Sequence, residues 1–81
     1  MKDDEIRAIF LNELVGVAPD IDPKTVSDDD HLQDDLGLDS MDVLNLVSAL
    51  HKRLDLNIPE ADYSQIATLK MAVGYISKHV G

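Results

Sequence analysis

The sequence has no cysteine, which removes a disulfide framework, a thiolate nucleophile and a zinc–thiolate site together. Tryptophan is also missing, and the only aromatics are Phe10, Tyr63 and Tyr75, so a core must be built from aliphatic side chains. No apolar run approaches the ~20 residues of a membrane span, and Met1-Lys2-Asp3-Asp4-Glu5 does not read as a signal peptide. Histidines are few and scattered (His31, His51, His79), a poor start for a metallohydrolase. Seven Lys and Arg stand against sixteen acids, a formal charge of −9. Such a surface repels nucleic acid and anionic lipid and attracts basic protein partners. The 81 residues have room for one small domain, 1–81, expected to be a soluble, cytoplasmic, monomeric module and not an enzyme.

The negative charge is concentrated. Residues 20–39 carry eight acids, Asp20, Asp22, Asp28, Asp29, Asp30, Asp34, Asp35 and Asp39, against Lys24 alone. A solvated loop is the plain account of most of them. A cluster just ahead of a helix start is also a docking field, and Asp28, Asp29, Asp30, Asp34 and Asp35 are expected to bind divalent cations weakly. An EF-hand does not fit, because neither Asp20-Ile21-Asp22 nor Asp28-Asp29-Asp30 is followed by the required glycine and distal glutamate.

Apolar spacing predicts helices throughout. Ile6, Ile9, Phe10, Leu14 and Val17 form one stripe of a helix over about Asp3–Val15, with acids in its first turn and Gly16 as its stop. Val43, Leu46, Val47, Leu50 and Leu54 form another over Ser40–Leu54, ended by Asn57 and Pro59. Pro59 suits the first position of a short helical turn over roughly Glu60–Gln65. Thr68 caps a last helix over Leu69–Val80, with Leu69, Ala72, Val73, Ile76 and Val80 inward. Between the first two helices, residues 16–38 show no sustained period, yet their scattered apolar side chains predict a loop pinned to the bundle. The expected fold is all-α, a small four-helix bundle of three main helices plus a short third one, with a long loop between the first and second.

The informative segment is Asp34-Asp35-Leu36-Gly37-Leu38-Asp39-Ser40-Met41-Asp42. It sets a serine at the first position of a helix, after a glycine turn and between two carboxylates. Serine and aspartate are common N-caps, worth about 1 kcal/mol, so an acidic helical adaptor in which Ser40 only caps a helix is one account. Three features favour a functional serine: the long loop before it, the acidic field, and the stripe Met41, Leu44, Ser48 and His51. That stripe is offset from the core stripe and leaves Met41 and Leu44 without an internal role.

With these residues the sequence resembles the acyl carrier protein family. The resemblance covers nearly the whole chain: the helix from Glu5, the long loop, Leu36-Gly37-Leu38-Asp39-Ser40-Met41, Ile58-Pro59, and the helix introduced by Thr68-Leu69. It implies that Ser40 is esterified with 4′-phosphopantetheine from coenzyme A by a separate phosphopantetheinyl transferase. Acyl intermediates would ride as thioesters on the arm, which brings the thiol that this cysteine-free chain lacks. Asp39 would cap the helix and also meet the transferase. Since no histidine neighbours Ser40 in sequence, and the sequence establishes no relation between Ser40 and His31, activation is expected in trans. The implied partner face is Met41, Asp42, Leu44, Asn45, Ser48, His51 and Lys52, covered by acyl-loading and acyl-processing enzymes with basic docking surfaces. A peptidyl carrier is the neighbouring alternative; such carriers tend to have a second glycine where Leu38 stands.

Two departures from the family pattern bear on cargo and partners. Members serving fatty-acid synthesis usually carry acids along the whole second helix, whereas this chain turns basic at His51, Lys52 and Arg53. That implies a restricted partner set and a carrier dedicated to one pathway. Tyr63 falls in the short third helix, which in the family borders the acyl cleft and often has a small residue there. A tyrosine could narrow that cleft and favour short or polar cargo, or it could lie wet on the surface.

Overall fold

Side chains spaced three and four apart close into three α-helices in the computed structural model, which describes residues 1–80: α1 (Asp3–Val17), α2 (Ser40–Leu54) and α3 (Leu69–Val80). A 3-10 helix, Glu60–Ile66, lies between α2 and α3, and a single 3-10 turn, Pro23–Thr25, interrupts the long loop. The architecture is the expected all-α bundle, with no strand among the described residues; Gly81 lies outside them. Its centre is made by Ile6, Phe10 and Leu14 from α1, Leu46 and Leu50 from α2, Leu69, Ala72 and Ile76 from α3, and Ile66, all 1% exposed or less. Each such side chain contributes roughly 1.5–3 kcal/mol through burial, enough to override local preferences at helix ends.

Several boundaries differ from expectation for that reason. Gly16 does not stop α1. The helix continues through half-buried Val17 and closes where the Ala18 amide donates to the Leu14 carbonyl at 2.9 Å. Packing in this last turn outweighs a glycine cost of about 1 kcal/mol. Helix α2, by contrast, ends at Leu54 as expected, with Asp55 capping it in a left-handed conformation (φ 54°). Pro59 is the N-cap of the short helix rather than its first residue, and the helix extends one residue further to buried Ile66. Leu11 and Tyr75 are buried although they fall outside the expected stripes. Ile9, Val17, Val43, Leu54, Val73 and Val80, expected inward, lie half-buried at the margin.

The long loop is strapped to the bundle, as its apolar residues predict. Val26, Leu32 and Leu38 are buried, and the Leu32 amide donates to the Ala67 carbonyl at 2.9 Å. The Lys70 amide donates to the Asp28 carbonyl at 3.0 Å, and His31 makes one antiparallel bridge with Thr68. Arg7 holds the other side, its Nε donating to Asp28 Oδ1 at 3.3 Å and its guanidinium to the Val26 carbonyl at 3.4 Å. Helix α1 packs on both α2 and α3, and α3 packs on the short helix. No comparably close packing joins α2 to the short helix among the described residues. That seam is where the site lies.

Candidate functional site

Ser40 is the first residue of α2 and is exposed. The loop delivers it there in three steps. Gly37 turns the chain with φ +77°, a conformation that costs an L side chain about 1–2 kcal/mol. Leu38 then drops into the core, its amide donating to the Leu32 carbonyl at 3.0 Å. Asp39 follows in extended conformation as the N-cap, and Ser40 emerges on the surface. A Cβ at position 37 would meet no atom within 4 Å, so the demand for glycine there is conformational.

The capping role expected of Asp39 is present. Its Oδ1 accepts the Asp42 amide at 2.8 Å and its carbonyl accepts the Val43 amide at 3.1 Å, while Asp42 Oδ2 accepts the Asp39 amide at 3.3 Å. Both carboxylates flanking Ser40 are thus committed to backbone amides. The amides of Ser40 and Met41 precede those taken by Asp39 in the same turn, at the positive end of the helix dipole.

Ser40 stands on a cleft of about 690 Å³ between the start of α2 and the short helix. Its apolar lining comes from Leu32, Val43 and Ile66 beneath, with Met41 and Leu44 on the α2 side. Met41 and Leu44 are 61% and 44% exposed, so neither is a fringe of the core. The polar rim brings in residues that sequence reasoning left apart: His31, Asp34, Glu60 and Ser64. His31 is placed there by the loop's pairing to Thr68, a long-range contact that no local periodicity encodes. Its Nδ1 lies 3.5 Å from Asp35 Oδ2, and its amide donates to the same oxygen at 2.7 Å. Tyr63 lines the cleft half-buried, with its side chain packed against the core.

The remaining partner-face residues divide. Asn45 and Lys52 turn toward a second, shallower depression of about 400 Å³, shared with Glu13, Ala49 and Arg53, where Arg53 donates to Glu13 Oε1 at 3.2 Å. Ser48 and His51 are exposed outside both hollows, and His51 Nδ1 approaches the Leu56 carbonyl at 3.3 Å. Three acids of the loop are already engaged: Asp28 pairs with Arg7 of α1, Asp30 Oδ2 accepts the Ser27 amide at 2.8 Å, and Asp35 accepts that of His31. Among the described residues no three potential ligands gather at one point, so weak divalent binding at Asp28, Asp29, Asp30, Asp34 and Asp35 has no preassembled chelate.

Against this geometry, the family described as "Phosphopantetheine attachment site" matches residues 5–76. The chain belongs to the acyl carrier protein family. Its cofactor is therefore a covalently attached 4′-phosphopantetheine. A similar relative is the "Acyl carrier protein, mitochondrial" of Neurospora crassa, 36% identical over 76 residues that make up 94% of this chain. The chain spans 57% of that relative's length. The residues of this carrier domain fit the group: a hydroxyl stands exposed at a helix start, beside a partly apolar cleft, with free approach from solvent. A phosphodiester at such a terminus gains roughly 0.3–1 kcal/mol from the dipole. A gain that small leaves retention of the arm to its covalent bond.

Proposed function

We propose that Ser40 is the attachment point of the phosphopantetheine arm and that the domain presents acyl thioesters to partner enzymes without itself catalysing their chemistry. The supporting observation is the exposed Ser40 at the first position of α2, on the rim of a hollow that Met41 and Leu44 also line. A serine that served only as a helix cap would occupy the N-cap position, and Asp39 holds that position here. Deprotonation of the hydroxyl falls to the transferase, because Asp39 and Asp42 are engaged with amides and His31 faces Asp35. Asp39 presents its remaining carboxylate surface to that enzyme. Met41, Asp42 and Leu44 form the centre of the docking face, where the adaptable methionine suits several partners.

The face turns from acidic to basic along α2, with Asp42 in its first turn and His51, Lys52 and Arg53 in its last. Charge of this kind steers encounter and rejects wrong partners more than it adds affinity. The carrier therefore serves a narrow set of enzymes in a dedicated acyl pathway. Incubation with coenzyme A and a broad-specificity transferase tests the attachment: wild type gains the mass of the arm, and Ser40→Ala gains nothing. An unchanged wild-type mass would return Ser40 to a purely structural role. For the narrow partner set, fatty-acid ketosynthases and reductases should turn over its acyl form poorly; turnover equal to that of a housekeeping carrier contradicts it.

A further inference from the structure

The surroundings of Ser40 are acidic, with one exception. Asp34 and Glu60 share the rim with it, and Asp39 and Asp42 stand on either side of it in the chain. His31 is the only side chain among the lining residues that takes a positive charge near neutral pH. The loop keeps it close to Ser40. The Asp35 and Leu36 amides both donate to the His31 carbonyl, at 2.9 and 3.0 Å, and the Leu38 amide donates to the Leu32 carbonyl at 3.0 Å. Residues 31–38 thus close into a turn with His31 at its entrance. Ser40 lies two residues past its exit, at most about 7 Å of chain. The His31 side chain is 54% exposed, and the 3.5 Å approach of its Nδ1 to Asp35 Oδ2 is too long to fix the ring.

An arm on Ser40 brings a phosphodiester, a permanent anion, into this field. The carboxylates repel it, and an imidazolium attracts it. We propose that His31 is a cofactor-contacting residue whose protonated ring pairs with the phosphodiester of the arm. The inference rests on attachment at Ser40. His31 belongs to the loop, whereas Met41 and Leu44 belong to α2, so the pair turns the root of the arm toward the loop and leaves those apolar residues open to partners. Exposed ion pairs hold weakly, so the contact biases the arm's direction without fixing it. The pairing is complete with the ring protonated and is lost as pH rises through the imidazole titration. The charged groups on the elements around His31 are Asp34 and Asp35 on its own loop, Glu60 on the short helix, Asp39 and Asp42 at the start of α2, and Lys70 in α3.

Holo-protein is made with coenzyme A and a broad-specificity transferase and verified by intact mass. The phosphorus NMR signal of its arm is then followed between about pH 5 and 8, the window in which histidine changes charge. The phosphodiester keeps its charge throughout, and ordinary carboxylates and lysines titrate outside that window. Wild type should show one step in the phosphorus shift. His31→Gln should abolish the step, while His51→Gln and His79→Gln should keep it. Asp35→Asn retains an acceptor for the His31 amide but removes the charge facing the ring, and it too should keep the step. Sodium chloride at about 1 M, where screening acts within about 3 Å, should shrink it. A flat wild-type trace overturns the proposal without recourse to any variant. A step that survives His31→Gln, disappears with Asp35→Asn or ignores salt overturns it as well. Failure of the wild type to gain mass refutes the carrier reading and the pairing together; normal mass gain with a flat trace refutes the pairing alone.

Discussion

Replacing Asp39 separates two roles that meet at the start of α2. The Asp39 carboxylate accepts the Asp42 amide at 2.8 Å, a good capping geometry, while the return bond from the Asp39 amide to Asp42 is longer at 3.3 Å. Loss of an N-cap costs about 1 kcal/mol, within a range of roughly 0.5–2. Removing one negative charge from the acidic segment offsets a little of this, because exposed charges are screened over ~10 Å at 0.1 M salt. For a domain of this size 1 kcal/mol moves the Tm by about 4–8 °C. Asp39→Ala should therefore lower the Tm of the unmodified protein by about 4–8 °C in a circular dichroism melt. Asparagine caps as well as aspartate, so Asp39→Asn should melt within about 2 °C of wild type. Both variants should accept the arm more slowly, since both lack the carboxylate offered to the transferase. If Asp39→Asn lost as much stability as Asp39→Ala, the geometric account of the cap would be refuted.

Other positions give equally direct expectations. Leu46→Ala should destabilise by about 2–5 kcal/mol in urea titration, because its side chain is fully buried, whereas exposed Leu44→Ala should stay within about 0.5 kcal/mol and slow only reactions with partners. Gly74 is exposed within α3 with open space about it, so Gly74→Ala should raise stability by about 1 kcal/mol, while Gly37→Ala should lower it by about 1–2 kcal/mol through its positive φ. The hydrogen bond to Asp62 pushes the Tyr75 hydroxyl above its ordinary pKa, with burial and the carboxylate's charge adding to it. Stability from that proton is complete below about pH 10, the unfolded value, and is lost as pH rises through the folded one. Alkaline melts of wild type should therefore fall more steeply than those of Tyr75→Phe. With a charge of −9 and no gathered chelate among the described residues, the Tm should rise smoothly with sodium chloride and with millimolar magnesium; a Tm indifferent to both contradicts a repulsive acidic loop.

What could be read from the sequence was what local chemistry determines. Helices α2 and α3 fall at the expected residues because each joins a cap to an apolar stripe: Asp39 and Thr68 both accept amides of the first turn, Thr68 Oγ1 taking that of Met71 at 3.2 Å. Ser40 was legible for the same reason, since a glycine turn and a capping aspartate fix where the next side chain goes. The end of α1 was not, because the packing of Val17 decides it against the preference of Gly16. Burial of Tyr75 escaped the apolar pattern because its hydroxyl is satisfied by Asp62, thirteen residues away. The rim of the cleft depends on the loop strand pairing Leu32 with Ala67 and His31 with Thr68, contacts between segments that carry no mark of one another. Hence His31 and Glu60 joined Ser40 only once the fold was closed.

The chain contains five serines: Ser27, Ser40, Ser48, Ser64 and Ser77. The attachment claim is tested most directly by fragmentation mass spectrometry of the protein recovered from its own host, with the arm and any cargo intact. The account predicts the modification on the peptide carrying Ser40 and on no other serine. An arm localised to another residue, or a protein recovered wholly without one from cells that modify their other carriers, would contradict it.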